Sequence, residues 1–256
     1  MDWIEISNCW VLIPLRPKAI IHFLGGAFVA SAPQFTYRWL LEQLAHQGYA
    51  IVATPFINTL DHHLIAKQVL WIFEDCLEDL YAARLLQRRM LPIYGLGHSM
   101  GCKLHLLIGS LFPVERAGNI LMCFNNYAAR ESIPLVEQLS SMVEVEFSPS
   151  PAQTNQLVLE RYQVRRNLLV QFSKDTIDQT LPLNEILQAR FPGMVTVVRL
   201  NGDHQTPLAQ DLNWPVGETF TPFDAVGQWV KQQIYQDIYC LREEVLRWLN
   251  PLAPRT

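Results

Sequence analysis

Gly97-His98-Ser99-Met100-Gly101 stands between an apolar run at 91–96 and a second apolar stretch at 102–108 that has helical character. An extended run that meets G-x-S-x-G and then a helix describes a chain turning sharply off a sheet. Such a turn strains its central residue and lifts the serine hydroxyl above the sheet edge. Glycines two positions either side of Ser99 remove the Cβ atoms that would collide as strand and helix close on each other. With glycine near 7% of an average chain, the pattern arises by chance in roughly one chain of this length in ten. The rest of the sequence must therefore carry the reading.

The chain has 256 residues, 50% of them hydrophobic and only 17% charged, enough to bury a large core in one α/β domain spanning 1–256. A formal net charge of −4 and the absence of any Lys/Arg cluster argue against a nucleic-acid partner. Cys9, Cys76, Cys102, Cys123 and Cys240 are odd in number and follow no metal-ligand or redox spacing, so they read as small core residues in a reducing compartment. The start, Met1-Asp2-Trp3-Ile4-Glu5, carries acid where a secretory signal carries basic residues, and export is not expected. The most apolar stretch, 19–32, is interrupted by His22, Gly25 and Gly26 and falls short of the roughly 20 residues that a spanning helix needs. Seven tryptophans fit a large core and also leave room for peripheral contact with a membrane.

Short β-rich runs at 3–6, 10–13, 19–24, 50–55, 91–96, 119–124, 167–172 and 194–200 alternate with longer helical patterns, the signature of a mostly parallel sheet covered on both faces. The first two runs are joined only by Ser7-Asn8-Cys9 and read as an antiparallel hairpin at the edge. Helices are expected at 37–47, ending at Gly48, and from the N-cap Asp61 to about Arg89. About forty residues separate the strands at 119–124 and 167–172, more than one crossover requires. A short helical cap insert is expected at 125–166, with helices at 132–142 and 152–164 separated by Phe147-Ser148-Pro149-Ser150-Pro151. The portion 223–249 is helical again.

A serine hydroxyl is a weak nucleophile until a base takes its proton, and that base needs a third group to hold its tautomer. The run at 167–172 is followed by Ser173-Lys174-Asp175-Thr176-Ile177-Asp178, and the run at 194–200 by Asn201-Gly202-Asp203-His204. Serine, acid and histidine thus each fall just past the C-terminal end of a separate strand, the edge where open α/β sheets collect their ligand and catalytic groups. The chain order resembles that of α/β-hydrolases. Asp175 is preferred to Asp178 as the acid because it lies closer to the strand end. Leu24-Gly25-Gly26-Ala27-Phe28 resembles the His-Gly-Gly-Gly-Phe loop of lipases and esterases, with Leu24 in place of the histidine and Ala27 in place of the third glycine. Backbone donors for an oxyanion are expected from Gly26 or Ala27 together with Met100. Phe28, His62, Leu135, Leu139 and Leu157 are candidates to line a substrate pocket. Asp61-His62-His63, His98 and His105 otherwise read as a cap and packing residues. No metal site is expected, since no carboxylate or cysteine stands at ligand spacing.

His22-Phe23-Leu24-Gly25-Gly26-Ala27-Phe28, Asp61-His62 and Gly95-Leu96-Gly97-His98-Ser99-Met100-Gly101-Cys102-Lys103-Leu104 together resemble a domain-of-unknown-function family of α/β-hydrolase-like proteins from photosynthetic organisms, plastid members among them. The resemblance covers nearly the whole chain. It implies the α/β-hydrolase fold, an esterase or lipase activity without a settled substrate, and a cytoplasmic or thylakoid-adjacent setting. The expected chemistry is cleavage of a carboxylic ester or thioester of a small molecule or lipid, with Ser99 attacking, His204 shuttling the proton and Asp175 holding the imidazole. No cofactor is implied, because the chain supplies nucleophile, base and electrophilic donors. Acyl transfer to an alcohol or amine uses the same residues. A non-catalytic hydrolase fold used for binding or assembly is the rival from another class.

Overall fold

The structure, a computed structural model, describes residues 1–87, 90–128, 146–209 and 222–251, and of 222–235 the helical backbone alone. The expected helix at 132–142, with Leu135 and Leu139, lies outside the described residues.

Eight strands form one sheet: β1 (Ile4–Ile6), β2 (Cys9–Leu12), β3 (Ala19–Leu24), β4 (Tyr49–Ala53), β5 (Ile93–His98), β6 (Gly118–Met122), β7 (Asn167–Phe172) and β8 (Val195–Leu200). Their spatial order is β1-β2-β4-β3-β5-β6-β7-β8. The first two strands pair antiparallel, as do β2 and β4, while every pairing from β4 to β8 is parallel. The hairpin turn places both Ser7 and Asn8 at positive φ, 47° and 60°, the backbone of the two-residue turn whose twist matches that of the flanking strands. In β3, β4 and β6 every residue is buried. That explains why these runs read as continuously apolar instead of alternating.

The helices are α1 (Pro33–Thr36), α2 (Arg38–His46), α3 (His62–Ala82), α4 (Met100–Leu111), α5 (Pro151–Arg161), α6 (Thr180–Arg190) and α7 (Pro222–Leu249). One face of the sheet is covered by α2 and α7, where Leu40, Leu44, Leu241, Val245 and Trp248 pack on Ile21, Phe23, Ile51 and Leu168. On the other face, Ile65 and Val69 of α3 meet Leu104 and Leu107 of α4 against Leu24. Further along that face, Val158 of α5 and Leu183 and Leu187 of α6 cover Leu121 and Leu169. Asp61 caps α3 by accepting from the Leu64 N–H at 2.8 Å. The helix ends at Ala82 instead of running on to Arg89. Arg84 enters the left-handed region at φ 59°, and the Leu85 and Leu86 N–H groups turn back onto the Leu80 carbonyl, which seats Leu86 in the core. The break before α5 is set by Ser150, which forms a reciprocal capping box with Gln153 while Pro151 opens the helix.

Candidate active site

Strand β5 runs to His98 and α4 begins at Met100, so Ser99 alone makes the turn, at φ 54° and ψ −117°. A serine is held in this sparsely populated region only by its surroundings. Its N–H donates to the Met122 carbonyl at 2.9 Å and its carbonyl accepts from Cys102 N–H at 3.0 Å. The flanking glycines are required by close packing. A Cβ on Gly97 would stand 2.7 Å from the Cys102 nitrogen, and one on Gly101 would stand 2.6 Å from the Leu24 carbonyl carbon and collide with its oxygen. The elbow is therefore wedged against the end of β3, where the Gly25-Gly26 loop starts.

The loops after β7 and β8 are tied together by the Ser173 N–H on the Leu200 carbonyl, 2.8 Å, and the Lys174 N–H on the Gly202 carbonyl, 2.9 Å. They bring Asp175 and His204 to Ser99. His204 Nδ1 donates to Asp175 Oδ2 at 2.7 Å, and His204 Nε2 accepts from the Ser99 hydroxyl at 3.1 Å. Since a carboxylate only accepts, the Nδ1 proton fixes the tautomer and leaves Nε2 basic toward Ser99. The Asp175 side chain is fully buried and that of His204 is 25% exposed, so the imidazole remains reachable. Burial alone raises the Asp175 carboxyl, but the hydrogen bond and charge of His204, the Ile177 N–H and the Cys123 thiol outweigh it and hold the pKa below the ordinary carboxylate value. Asp178 is turned away. Its two oxygens accept from the Thr180 N–H and hydroxyl, both at 2.9 Å, and burial raises its carboxyl. It is tied to Thr180, the first residue of α6.

Behind the imidazole lies a chain of hydrogen bonds that the sequence did not disclose. The Gly26 N–H donates to Tyr37 Oη at 2.8 Å, and the Tyr37 hydroxyl meets His98 Nδ1 at 2.7 Å. His98 Nε2 in turn donates to the His204 carbonyl at 2.9 Å. A carbonyl cannot donate, so the His98 proton sits on Nε2, Nδ1 accepts, and Tyr37 is the donor between them. Burial, then the neighbouring His204, lowers the His98 pKa to about 3, which keeps the ring neutral. The Gly26 N–H, expected among the oxyanion donors, is thus directed at Tyr37. Met100, as the first residue of α4, has an N–H with no acceptor inside its helix.

A further group touches the serine. Asn125 Nδ2 donates to Ser99 Oγ at 3.2 Å. It lies just past β6, and the strand-end rule that singled out Asp175 and His204 would have found it had it been applied to that strand too.

Of the expected pocket residues, Leu157 packs against the cluster that holds Met100 and Leu104, as does Ala27 beside Gly26. Phe28 is 84% exposed and stands out in solvent. His62 is buried against the Phe147 ring, centroids 4.2 Å apart, and burial followed by the Lys103 charge lowers its pKa to about 3. Donor atoms of His98, Cys123 and His204 lie within 4.8 Å of one another, but all four ring nitrogens are already hydrogen-bonded. A cation there would have to displace one of these bonds on each ring. All five cysteines are free, four buried and Cys240 exposed. Among the described residues no helix is long and apolar enough to cross a membrane.

The sheet order, the strained serine between β5 and α4, and the placement of acid and histidine after β7 and β8 are those of the α/β-hydrolase fold. Solved structures agree on the fold. Alpha/beta hydrolase domain-containing protein 10 from mouse superposes with a TM-score of 0.59 over 98% of this chain and 99% of its own, at 14% identity. A thermophilic esterase from the planctomycete Thermogutta terrifontis, bound to butyrate, gives 0.57 over 97% and 91% at 16% identity. Carboxyl esterase 2 from the mycorrhizal fungus Tuber melanosporum gives 0.56 over 93% and 87% at 15% identity. Among curated proteins none matches the chain in sequence. The chain belongs to the family described as protein of unknown function (DUF1350), which it matches over residues 2–251.

Proposed function

We propose that the protein is a serine hydrolase that cleaves carboxylic esters or thioesters through an acyl-enzyme on Ser99. The observation that carries this reading is the continuous hydrogen-bonded line from Ser99 Oγ through His204 to Asp175, 3.1 and 2.7 Å. His204 Nε2 takes the Ser99 proton as Oγ attacks the carbonyl carbon, Asp175 stabilises the imidazolium, and the proton passes to the leaving group. The Met100 and Ala27 N–H groups receive the oxyanion. Leu157 of α5, packed against the cluster that holds Met100, forms part of the wall around the acyl group. Phe28 and Ile57, 84% and 79% exposed on loops at the same sheet edge, offer an apolar approach for a lipid-like substrate or for peripheral contact with a lipid surface. The esters acted on by similarly folded neighbours accord with a small-molecule ester substrate.

The test is labelling with a fluorophosphonate, which phosphonylates an activated serine. The wild type is expected to be modified at Ser99, and Ser99→Ala to give no adduct. A folded wild type that stays unlabelled beside a reacting control hydrolase would leave a binding or assembly role instead. Adding an alcohol acceptor to the ester assay then separates hydrolysis from acyl transfer by the products formed.

A further inference from the structure

We infer that Asn125 is a catalytic residue of the Ser99 centre, serving the leaving group, and that it fits the site to oxygen esters over thioesters; this rests on the serine-hydrolase reading above. The proton inventory at Ser99 sets its role. His204 Nδ1 is committed to Asp175 and its Nε2 to the serine hydroxyl hydrogen, so Oγ turns a lone pair toward Asn125, and the Nδ2 donor 3.2 Å away meets it. Two donor–acceptor contacts converge on the one reacting oxygen.

Asn125 is held in that pose from both sides. The next residue, Asn126, donates its N–H to Gln179 Oε1 at 2.7 Å. Its side-chain amide donates to the Pro151 carbonyl at 3.0 Å and to Asn155 Oδ1 at 3.1 Å. The Gln179 N–H closes the frame on the Phe124 carbonyl at 2.7 Å. A loop pinned to the start of α6 and to α5 presents its donor without an ordering cost at the moment of reaction.

Sheet order then says which part of the substrate the donor faces. The strands run β3-β5-β6-β7-β8, with the Gly26-Ala27 loop after β3, Ser99 after β5, Asn125 after β6, Asp175 after β7 and His204 after β8. Asn125 therefore stands on the flank opposite the oxyanion loop, the same flank from which His204 returns its proton. In acylation Oγ bonds to the carbonyl carbon as its proton passes to Nε2. The carbon–oxygen bond to the alcohol then breaks, and Nε2 hands that proton to the departing oxygen. As Oγ bonds to the carbonyl carbon it becomes a weak acceptor, and the Asn125 N–H, keeping its proton, turns its hydrogen bond to the departing oxygen. In deacylation a water takes the vacated place, gives one proton to Nε2 and bonds to the acyl carbon. The Oγ–carbon bond breaks, the proton returns to Ser99 and the acid leaves. An oxygen leaving group accepts the Asn125 bond well, whereas sulfur is a weak acceptor. The donor thus assists the ester and does little for the thioester.

The test uses an oxygen ester and a thioester with the same acyl group, measured with the wild type, Asn125→Ala and the near-isosteric Asn125→Asp, which cannot donate. Both variants are expected to lose about a hundredfold in kcat/KM on the oxygen ester, the scale of one preorganised donor, and far less on the thioester, while the fluorophosphonate still modifies Ser99. Equal losses on both substrates, no loss on either, or loss of labelling in folded variants would overturn the leaving-group role and leave the hydrolase reading standing. A wild type that is neither labelled nor active on either substrate would sink the hydrolase reading and this inference with it.

Discussion

Tyr37→Phe removes one oxygen and nothing else from a ring that is fully buried and packed edge-on against Phe23 at 4.6 Å. The loss strands two groups. The Gly26 N–H and His98 Nδ1, both in buried residues, have their contacts through that hydroxyl at 2.8 and 2.7 Å. A buried polar group left without a partner costs about 1–3 kcal/mol, so the pair predicts a destabilisation of about 2–6 kcal/mol. Tyr239→Phe serves as the control, because its ring is 42% exposed and exposed substitutions usually stay within about 0.5 kcal/mol. Urea unfolding followed by tryptophan fluorescence gives both numbers. The same deletion frees the loop carrying Ala27 and slackens the contact on the His204 carbonyl, so fluorophosphonate labelling of Ser99 is expected to slow as well. If Tyr37→Phe unfolds with the same free energy as Tyr239→Phe and labels at the wild-type rate, the hydroxyl does not bridge the two loops and the tautomer assigned to His98 is wrong.

Four more outcomes are expected. Asp175→Asn should lower turnover on an ester by about ten-thousandfold, the scale seen when a triad histidine loses its orienting carboxylate. Asp178→Ala should leave turnover near wild type and cost about 1 kcal/mol of stability through the lost hydrogen bonds from Thr180; the reverse ranking in steady-state kinetics would exchange their roles. Gly101→Ala should destabilise the protein by about 1–3 kcal/mol or more as overpacking, because its new Cβ meets the Leu24 carbonyl; an unchanged urea midpoint would show that elbow and β3 are not in contact. Stability should fall as pH drops from about 7 toward 3, because His62, His98 and His105, ordinarily protonating near 6.5, do so in the folded chain only near 3. The unfolded state binds more protons in that window, which adds up to about 1.4 kcal/mol per pH unit for each ring. A flat stability between about pH 5 and 6 would contradict the burial of these histidines as neutral groups.

Ser99, Asp175 and His204 were legible because strand ends are legible. A run of buried β-branched and aliphatic residues stops where the chain leaves the sheet, and in a parallel sheet all such stops face one edge. Contacts made by residues inside elements left no comparable trace. Tyr37 occupies an apolar position just before α2, where its ring satisfies the helical period and nothing in the spacing announces that its hydroxyl reaches across the core to Gly26 and His98. His98 read as packing for the same reason. Gly26 and Ala27 were both candidate backbone donors, but sequence order alone does not say which of two consecutive N–H groups faces inward. The overlong reading of α3 has a simple cause. Apolar spacing continues through Leu80, Leu85 and Leu86, and only the left-handed Arg84 reveals that the last two leucines return to the core by a turn.

The strand that carries His204 is the last one in the sheet. β8 is paired only to β7, and most of its residues keep some solvent exposure, in contrast to the fully buried β3 and β6 that flank the elbow. Resistance to local opening follows burial and pairing. The molecule thus keeps Ser99 in the stablest part of its architecture and His204 at the margin. Under rising urea, ester turnover is expected to vanish before tryptophan fluorescence reports global unfolding, and the amides of β8 to exchange with solvent ahead of those in β5. Detaching that margin would leave Ser99 in place with no imidazole against its hydroxyl.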